Sequence, residues 1–275
     1  MTKINAREFF RERLKKARRV VLKAGTSILT RKSGHFSNSL VASLGRAILA
    51  LRQGGREIVL VSSGAIALGM ETLGLEKRPR ELKKLQACAA VGQGKLMRAY
   101  ETFFSKRGVH TAQILLTRDG LENRGRFRNA RHTLEEILAL GALPIVNEND
   151  TVATEEITFG DNDLLSTWLA NVIQADLVIL LSDVDGFYLK DGSRIGAVQG
   201  WGKIKRTLYP HVADQKKERS VGGMRAKLEA ARLALRSNIP LLLVNGHDRD
   251  ILQKVFRGED VGTLFIPSLK RRIEL

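Results

Sequence analysis

Short polar segments follow several aliphatic runs of the sequence, and their residue types suit the binding of anions. The segment KAGTS at 23–27 offers a lysine, a glycine and two hydroxyls, and SSGA at 62–65 opens an apolar helical stretch. A lysine near backbone N–H groups can hold a phosphate, and the free N–H groups of a helix start attract a carboxylate. Each segment alone also has an ordinary explanation, because lysine is usually a solvated surface residue and serine is a common helix cap.

Two clusters of carboxylates and amides come later, NEND at 147–150 and GDND at 160–163. One aspartate before a helix is most often a cap, but two such clusters exceed what capping needs. Carboxylates and amides together bind an amino group and orient charged lysines. The segment SDVDG at 182–186 fits either a tight turn or the side of a bound nucleotide.

The last polar segment is VGGMRAK at 221–227, where paired glycines lead into a helix that carries a lysine. Glycines at this point allow the backbone to approach a phosphate closely, although a flexible loop is the alternative interpretation. The sequence has no G-x-x-x-x-G-K-[ST], no G-x-G-x-x-G after a strand and no H-E-x-x-H. Its five histidines form no ligand-spaced cluster. These absences disfavour P-loop, Rossmann-type and zinc chemistry.

The segments that must position these residues alternate between two periodicities. Short, unbroken aliphatic runs predict strands at 20–22, 57–61, 112–116, 144–146, 177–181, 241–244 and 263–266. Stretches of helical period lie between most of them, including 82–104, 224–235 and 248–256. This alternation predicts an α/β fold, a three-layer α/β/α sandwich with a mainly parallel central sheet. Ligands of such sheets bind beyond the carboxyl ends of the strands, and residues 152–159 are expected to form a hairpin beside that edge.

The composition carries a large positive charge, 46 Lys and Arg against 29 Asp and Glu for a net +17. Such a charge raises the hypothesis of a nucleic-acid partner. The excess is concentrated at 3–19, where Phe9, Phe10, Leu14 and Ala17 interleave with basic residues as in an amphipathic helix. We therefore favour a surface helix packed by its apolar face, and a basic field that attracts anionic substrates.

Cellular location is predicted from what the sequence lacks. The single cysteine, Cys88, lies in an apolar run and is expected to be a buried free thiol. No apolar run reaches the roughly 20 residues of a membrane span, and the N-terminus lacks the apolar region of a secretory signal. We expect a cytoplasmic protein.

The sequence resembles the glutamate 5-kinases of the amino-acid kinase family in an ordered set of six segments. They are KAGTS, SSGAIALG at 62–69, AVGQ at 90–93, NEND, GDND and GGMRAK at 222–227. Sister kinases that act on acetylglutamate, aspartate, carbamate or UMP share the lysine-glycine start but not the NEND and GDND pair. The resemblance spans 20–266 and implies a glutamate-binding lobe at about 20–175 and an ATP-binding lobe at about 176–266. It leaves a basic N-terminal helical extension at 1–19 and a basic tail at 267–275 uncovered. Many members continue into an RNA-binding-like PUA domain, and none is expected here.

The resemblance implies transfer of the γ-phosphate of ATP to the γ-carboxylate of L-glutamate, giving L-glutamyl 5-phosphate in the first step of proline biosynthesis. The residues matching the catalytic positions are Lys23, Asp163 and Lys227. Those matching the glutamate-binding positions are Ser63, Asp150 and Asn162. Those matching the ATP-binding positions are Lys23, Ser182, Asp183, Val221, Gly222, Gly223, Met224, Arg225, Ala226 and Lys227.

The family also sets expectations for cofactors and partners. Mg²⁺ would be held mainly by the nucleotide phosphates and water, with no protein metal site. A homo-oligomer, dimer or tetramer, and a transient contact with a glutamyl phosphate reductase are expected, whereas membrane and nucleic-acid partners are not. Two alternatives stay open: a sister kinase for another carboxylate or phosphate acceptor, and a non-catalytic nucleic-acid-binding protein on the kinase fold. The sequence departs from the family pattern at ERSV, 218–221, and at Thr158.

Overall fold

One eight-stranded sheet forms the centre of the molecule. The computed structural model describes residues 6–117, 120, 123–152, 161–210 and 221–268. The strands are β1 Arg19–Ala24, β2 Glu57–Ser62, β3 Thr111–Leu116, β4 Leu143–Glu148, β5 Leu177–Ser182, β6 Ala197–Gln199, β7 Leu241–Asn245 and β8 Thr263–Ile266. Their order is β3-β4-β2-β1-β5-β7-β8-β6, and only the β7–β8 pairing is antiparallel.

Helices cover both faces of this sheet. They are α1 Ala6–Lys15, α2 Thr26–Leu29, α3 Asn38–Gln53, α4 Ala65–Thr72, α5 Leu82–Ser105, α6 Arg124–Ala139, α7 Asp161–Val172, α8 Trp201–Thr207, α9 Val221–Arg236 and α10 Ile251–Phe256. One core joins α1, α2, α3, α5 and α10 to one face of the sheet, and a second core joins α6, α7, α8 and α9 to the other. The predicted three-layer α/β/α sandwich is confirmed.

The central strands are aliphatic along most of their length because both of their faces are covered. Along β1, Val20 and Leu22 belong to the first core, whereas Val21 belongs to the second. Along β5, Ile179 belongs to the first core and Leu180 to the second. Side chains of a strand alternate between faces, so a strand buried on both faces needs an unbroken aliphatic run.

The register of the parallel strands brings their carboxyl ends into line. Ala24 at the end of β1 pairs with Ser62 of β2 and with Leu181 of β5. Val61 of β2 pairs with Val146 of β4. The polar segments that follow these four strands therefore begin side by side at one edge of the sheet, as the sequence predicted.

The first helix is an integral part of the fold. Phe10 and Leu14 of α1 are buried in the first core. Arg11 is also buried and donates hydrogen bonds to the Asp260 carboxylate at 2.7 Å and to the Glu259 carbonyl at 2.6 Å. This confirms the predicted helix packed by its apolar face and shows that its basic residues do not all face solvent.

Element boundaries differ from the prediction in a few places. Helix α9 begins at Val221, three residues before the predicted start, and α10 begins at Ile251 after a turn in which the Ile251 N–H bonds the Asp248 carbonyl. The three-residue strand β6 carried too short a pattern to be predicted. The predicted hairpin, apart from Val152, lies outside the described residues, as do Thr158 and most of the 218–221 segment.

Two smaller expectations can also be compared with the structure. Cys88 is a free thiol and is buried, as predicted. None of the helices in the described part of the chain has the length and apolar character to cross a membrane.

Candidate active site

A buried carboxylate between two lysines lies at the carboxyl edge of the sheet. Asp163 is in the first turn of α7, and its side chain has 0% exposure. Its Oδ1 lies 2.7 Å from Nζ of Lys23 on β1, and its Oδ2 lies 3.2 Å from Nζ of Lys227 on α9. The structure thus joins three residues that are widely separated in sequence.

The charges of this group do not cancel. Burial by itself would raise the pKa of Asp163, but the ammonium groups of Lys23 and Lys227 lower it overall. The carboxylate is therefore ionised at neutral pH and neutralises one of two positive charges. The surplus positive charge, in a site largely shielded from water, suits an anion such as a phosphoryl group.

Glycines stand beside both ammonium groups. A Cβ at Gly25 would lie 3.3 Å from the Lys23 Nζ, which is a tight contact. The Lys227 Nζ lies 3.3 Å from the carbonyl of Gly223, where a Cβ would be 3.7 Å away. Of the two, only Gly25 stands where a side chain would crowd its lysine, so Gly25 leaves the space that the Lys23 ammonium group occupies.

A second polar group adjoins the first because Asn162 is the chain neighbour of Asp163. The Asn162 Nδ2 donates to the Ser63 Oγ at 3.0 Å. Ser63 is fixed directly after β2, where its N–H donates to the Ala24 carbonyl at 3.0 Å. Gly64 follows with φ +111°, a conformation that favours glycine, and α4 then begins. The turn at Ser63 and Gly64 therefore lies beside the lysine pair.

Sequence patterns did not identify a tyrosine that supports this turn. Tyr100 of α5 is fully buried, and its hydroxyl lies 2.8 Å from the Ser62 Oγ, which donates to the Ser63 carbonyl at 3.1 Å. Burial raises the pKa of Tyr100, so the phenol stays protonated. A helical periodicity could mark Tyr100 as a core residue, but only the packing of α5 against β2 shows its polar partner.

Asp150 lies in the turn after β4 and is half-buried. Burial lowers the pKa of Arg78, and the Asp150 carboxylate acts in the opposite direction. This electrostatic link connects the segment between α4 and α5 to the NEND cluster. No local signal in the sequence singled out Arg78, since it is one of several basic residues in that segment.

Apart from Lys23 on β1, the residues predicted to bind ATP lie at the end of β5 and in the first turns of α9. Ser182 is buried and donates to Oδ1 of the exposed Asp183 at 3.0 Å. Because β5 pairs with β1, Ser182 lies near the end of the strand that carries Lys23. The 221–227 segment forms the first two turns of α9, and the first four N–H groups of a helix have no acceptor within it. Within it, Met224 and Ala226 are half-buried and Arg225 is exposed.

The described residues contain no group of three or more His, Cys, Asp or Glu side chains arranged to hold a metal ion. Both carboxylate oxygens of Asp163 face ammonium groups. In this structure, each carboxylate oxygen of Asp163 therefore has a lysine as its partner.

Comparison with known proteins agrees with this geometry. Residues 18–245 match the family model described as the amino acid kinase family. The chain belongs to the amino acid kinase family. The match includes Lys23, Ser63, Asp163 and Lys227, and it ends at the last residue of β7.

Curated relatives within the family carry the name glutamate 5-kinase. The relative from Geobacter metallireducens is 45% identical over 268 residues, which are 94% of this chain and 71% of the relative. Those from Geobacter sulfurreducens and Carboxydothermus hydrogenoformans are 43% and 44% identical, also across 71% of their own length. The UMP kinase structure from Bacillus anthracis superposes with a TM-score of 0.59 at 17% identity, covering 91% of this chain and 96% of that one. This last likeness supports the fold alone.

Proposed function

We propose that this member of the amino acid kinase family is a glutamate 5-kinase, transferring the γ-phosphate of ATP to the γ-carboxylate of L-glutamate. The observation that carries the proposal is the buried Lys23–Asp163–Lys227 group, adjoined by Ser63 and Asn162. Curated glutamate 5-kinases at 43–45% identity support the choice of glutamate over other acceptors. The product is L-glutamyl 5-phosphate, in the first step of proline biosynthesis.

The two lysines bracket the phosphoryl group in this mechanism. Each contacts a different oxygen of Asp163, so the carboxylate holds the two ammonium groups apart. The transferring group carries its negative charge between donor and acceptor oxygens, and preorganised ammonium groups on both sides stabilise that charge. Asp163 acts by positioning the lysines and does not take a proton.

No general base is needed, because the acceptor is already an anion. The γ-carboxylate of glutamate is ionised at neutral pH. One of its oxygens forms a bond to the γ-phosphorus while the bond from phosphorus to the bridging oxygen of ADP breaks. The products are the acyl phosphate and ADP.

The remaining predicted site residues take binding roles. Ser63 and the start of α4 supply donors for a substrate carboxylate, and Asp150 and Asn162 supply acceptors for its ammonium group. Ser182, Asp183 and the 221–227 helix start border the nucleotide, whose phosphates face the N–H groups of α9.

Mg²⁺ fits this site as an ion carried by the nucleotide. Mg²⁺ keeps several waters and binds phosphate oxygens, so it needs few ligands from the protein. When bound, it supplies charge neutralisation between the β- and γ-phosphates. A homo-oligomer and a transient contact with a glutamyl phosphate reductase, which would consume the unstable product, are further parts of the proposal.

The direct test is acyl-phosphate formation from Mg-ATP, trapped as a hydroxamate with hydroxylamine. Separate reactions contain L-glutamate, N-acetylglutamate or L-aspartate. Hydroxamate with L-glutamate alone is the expected result. Hydroxamate with one of the other acids would assign a different substrate to the same mechanism. If folded protein that binds ATP forms no hydroxamate with any of the three acids, the kinase assignment is refuted.

The role of the lysine pair is tested by Lys227→Ala. Losing one preorganised charge should lower turnover on the order of a hundredfold or more. Lys254→Ala is the matched control, because Lys254 also pairs with an aspartate, Asp248 at 2.6 Å, but does so at the partly exposed surface. Near-normal turnover in Lys227→Ala would contradict the mechanism.

A further inference from the structure

Three amide side chains form a chain of hydrogen bonds beside the lysine group. Nδ2 of Asn147, at the end of β4, donates to Oε1 of Gln93 on α5 at 2.8 Å. Nδ2 of Asn162 donates to Oδ1 of Asn147 at 3.0 Å and also to the Ser63 Oγ. Asn147 is buried and Gln93 is half-buried.

A backbone group fixes the direction of this chain. The N–H of Glu148 donates to the Asn147 Oδ1 at 2.9 Å. If the Asn147 amide were rotated by half a turn, its Nδ2 would face that N–H and the Asn162 Nδ2, so donors would oppose donors. The Asn147 Nδ2 must then find an acceptor elsewhere, and Gln93 Oε1 is that acceptor.

The packing of two helices places Gln93 at this point. A Cβ on Gly92 would lie 1.8 Å from the Ala65 carbonyl of α4, and one on Gly69 of α4 would lie 1.8 Å from the Cys88 carbonyl of α5. Such contact is open only to glycine, and it holds α5 against the start of α4. Gln93 follows Gly92 directly and therefore reaches across to the end of β4.

The chain of bonds leaves one acceptor unused. The Asn162 Nδ2 is occupied twice, whereas its Oδ1 is buried and has no hydrogen-bond partner among the described residues. A buried acceptor without a donor is unfavourable, so such an atom marks a place for a ligand donor.

We propose, on the basis of the glutamate kinase activity proposed above, that Gln93 and Asn147 are positioning residues that orient Asn162 toward the α-ammonium group of the substrate. The Gln93 acceptor keeps Asn147 in one orientation, and Asn147 in turn keeps the Asn162 Nδ2 facing inward and its Oδ1 facing the ligand. The site thereby favours substrates that carry a free ammonium group.

The test compares Gln93→Met, which removes the acceptor, with Gln93→Glu, which keeps an oxygen acceptor at the same position. Three constants are measured with the full chain: KM for L-glutamate, KM for ATP, and Ki for glutarate as a competitive inhibitor that has no amino group. Gln93→Met should raise the KM for glutamate about tenfold, because an oriented hydrogen bond to a charged group is weakened. The KM for ATP and the Ki for glutarate should stay unchanged, and Gln93→Glu should restore most of the affinity.

The outcomes separate this inference from the function on which it depends. If wild-type protein forms hydroxamate from glutamate but Gln93→Met leaves its KM unchanged, or weakens glutarate and ATP equally, the positioning role is overturned and the kinase assignment stands. If wild-type protein forms no hydroxamate from glutamate, the positioning role and the kinase assignment are both refuted. Gln93→Ala, a change well tolerated in a helix, gives the same comparison should the Gln93→Met protein not fold.

Discussion

Replacing Asp163 by asparagine should destabilise the fold strongly while leaving its shape almost unchanged. The side chain has 0% exposure, and its two lysine partners are only 8% and 14% exposed. The asparagine side chain has nearly the same volume but no charge, so Lys23 and Lys227 would be left as two like charges without a counterion. Breaking a buried ion pair by removing one partner costs about 3–5 kcal/mol. We expect the free energy of unfolding to fall by that amount, a large part of the roughly 5–15 kcal/mol typical of a domain.

The assay is urea unfolding followed by circular dichroism at neutral pH, with midpoint and slope fitted separately. Asp248→Asn is the matched control, since Asp248 pairs with Lys254 at 2.6 Å while both side chains are about one third exposed. An exposed pair of this kind contributes about 0–1 kcal/mol. The same substitution should therefore have very different effects at the two positions.

If Asp163→Asn lowers the free energy of unfolding by less than about 1 kcal/mol, the reasoning is refuted, because two buried ammonium groups without a counterion should destabilise the fold by more than that. A second variant checks the cause. Adding Lys227→Met to Asp163→Asn removes one of the unpaired charges and should recover part of the lost stability. If the double variant is as unstable as the sum of both single variants, charge imbalance is not the source.

Four further outcomes are expected. The folded-state pKa of Asp163 lies below its unfolded value, so its contribution to the free energy of unfolding is complete above about pH 4 and is lost as the pH falls through the folded pKa. The stability of the wild-type protein should therefore fall with acid more steeply than that of Asp163→Asn. Urea titrations at a series of pH values measure this difference. Tyr100→Phe should cost about 1–2 kcal/mol in the same assay, by deleting the hydroxyl that contacts Ser62 at 2.8 Å. Gly92→Ala should lower the free energy of unfolding by about 1–3 kcal/mol, since the new methyl group pushes α5 away from α4. It should also weaken glutamate binding, which calorimetry measures. Leu14→Ala should cost about 2–5 kcal/mol, which a thermal melt would show, because α1 is part of the first core.

The sequence was most informative where one physical rule controls many neighbouring residues. Aliphatic runs predicted seven of the eight strands, and six of these seven are buried along most of their length, where few other residue types are accommodated. The seventh, β3, is partly exposed at the edge of the sheet. The strand it missed, Ala197–Gln199, has three residues and too little pattern. The start of α10 at Ile251 differed from the prediction because it follows a turn closed by the Ile251 N–H and the Asp248 carbonyl, and helix starts depend on such local hydrogen bonds more than on periodicity.

For the site, the sequence by itself determined which residue types stand after which strands, and hence that lysines, carboxylates and amides meet at one edge of a parallel sheet. Only the tertiary structure decided their partners. That Asp163 holds Lys23 with one oxygen and Lys227 with the other follows from the register of β1 and the approach of α7 and α9. That Gln93 reaches Asn147 follows from two helices in glycine contact. Spacing along a chain fixes neighbours within an element, but contacts between elements depend on how their faces pack, and a local pattern does not encode that packing.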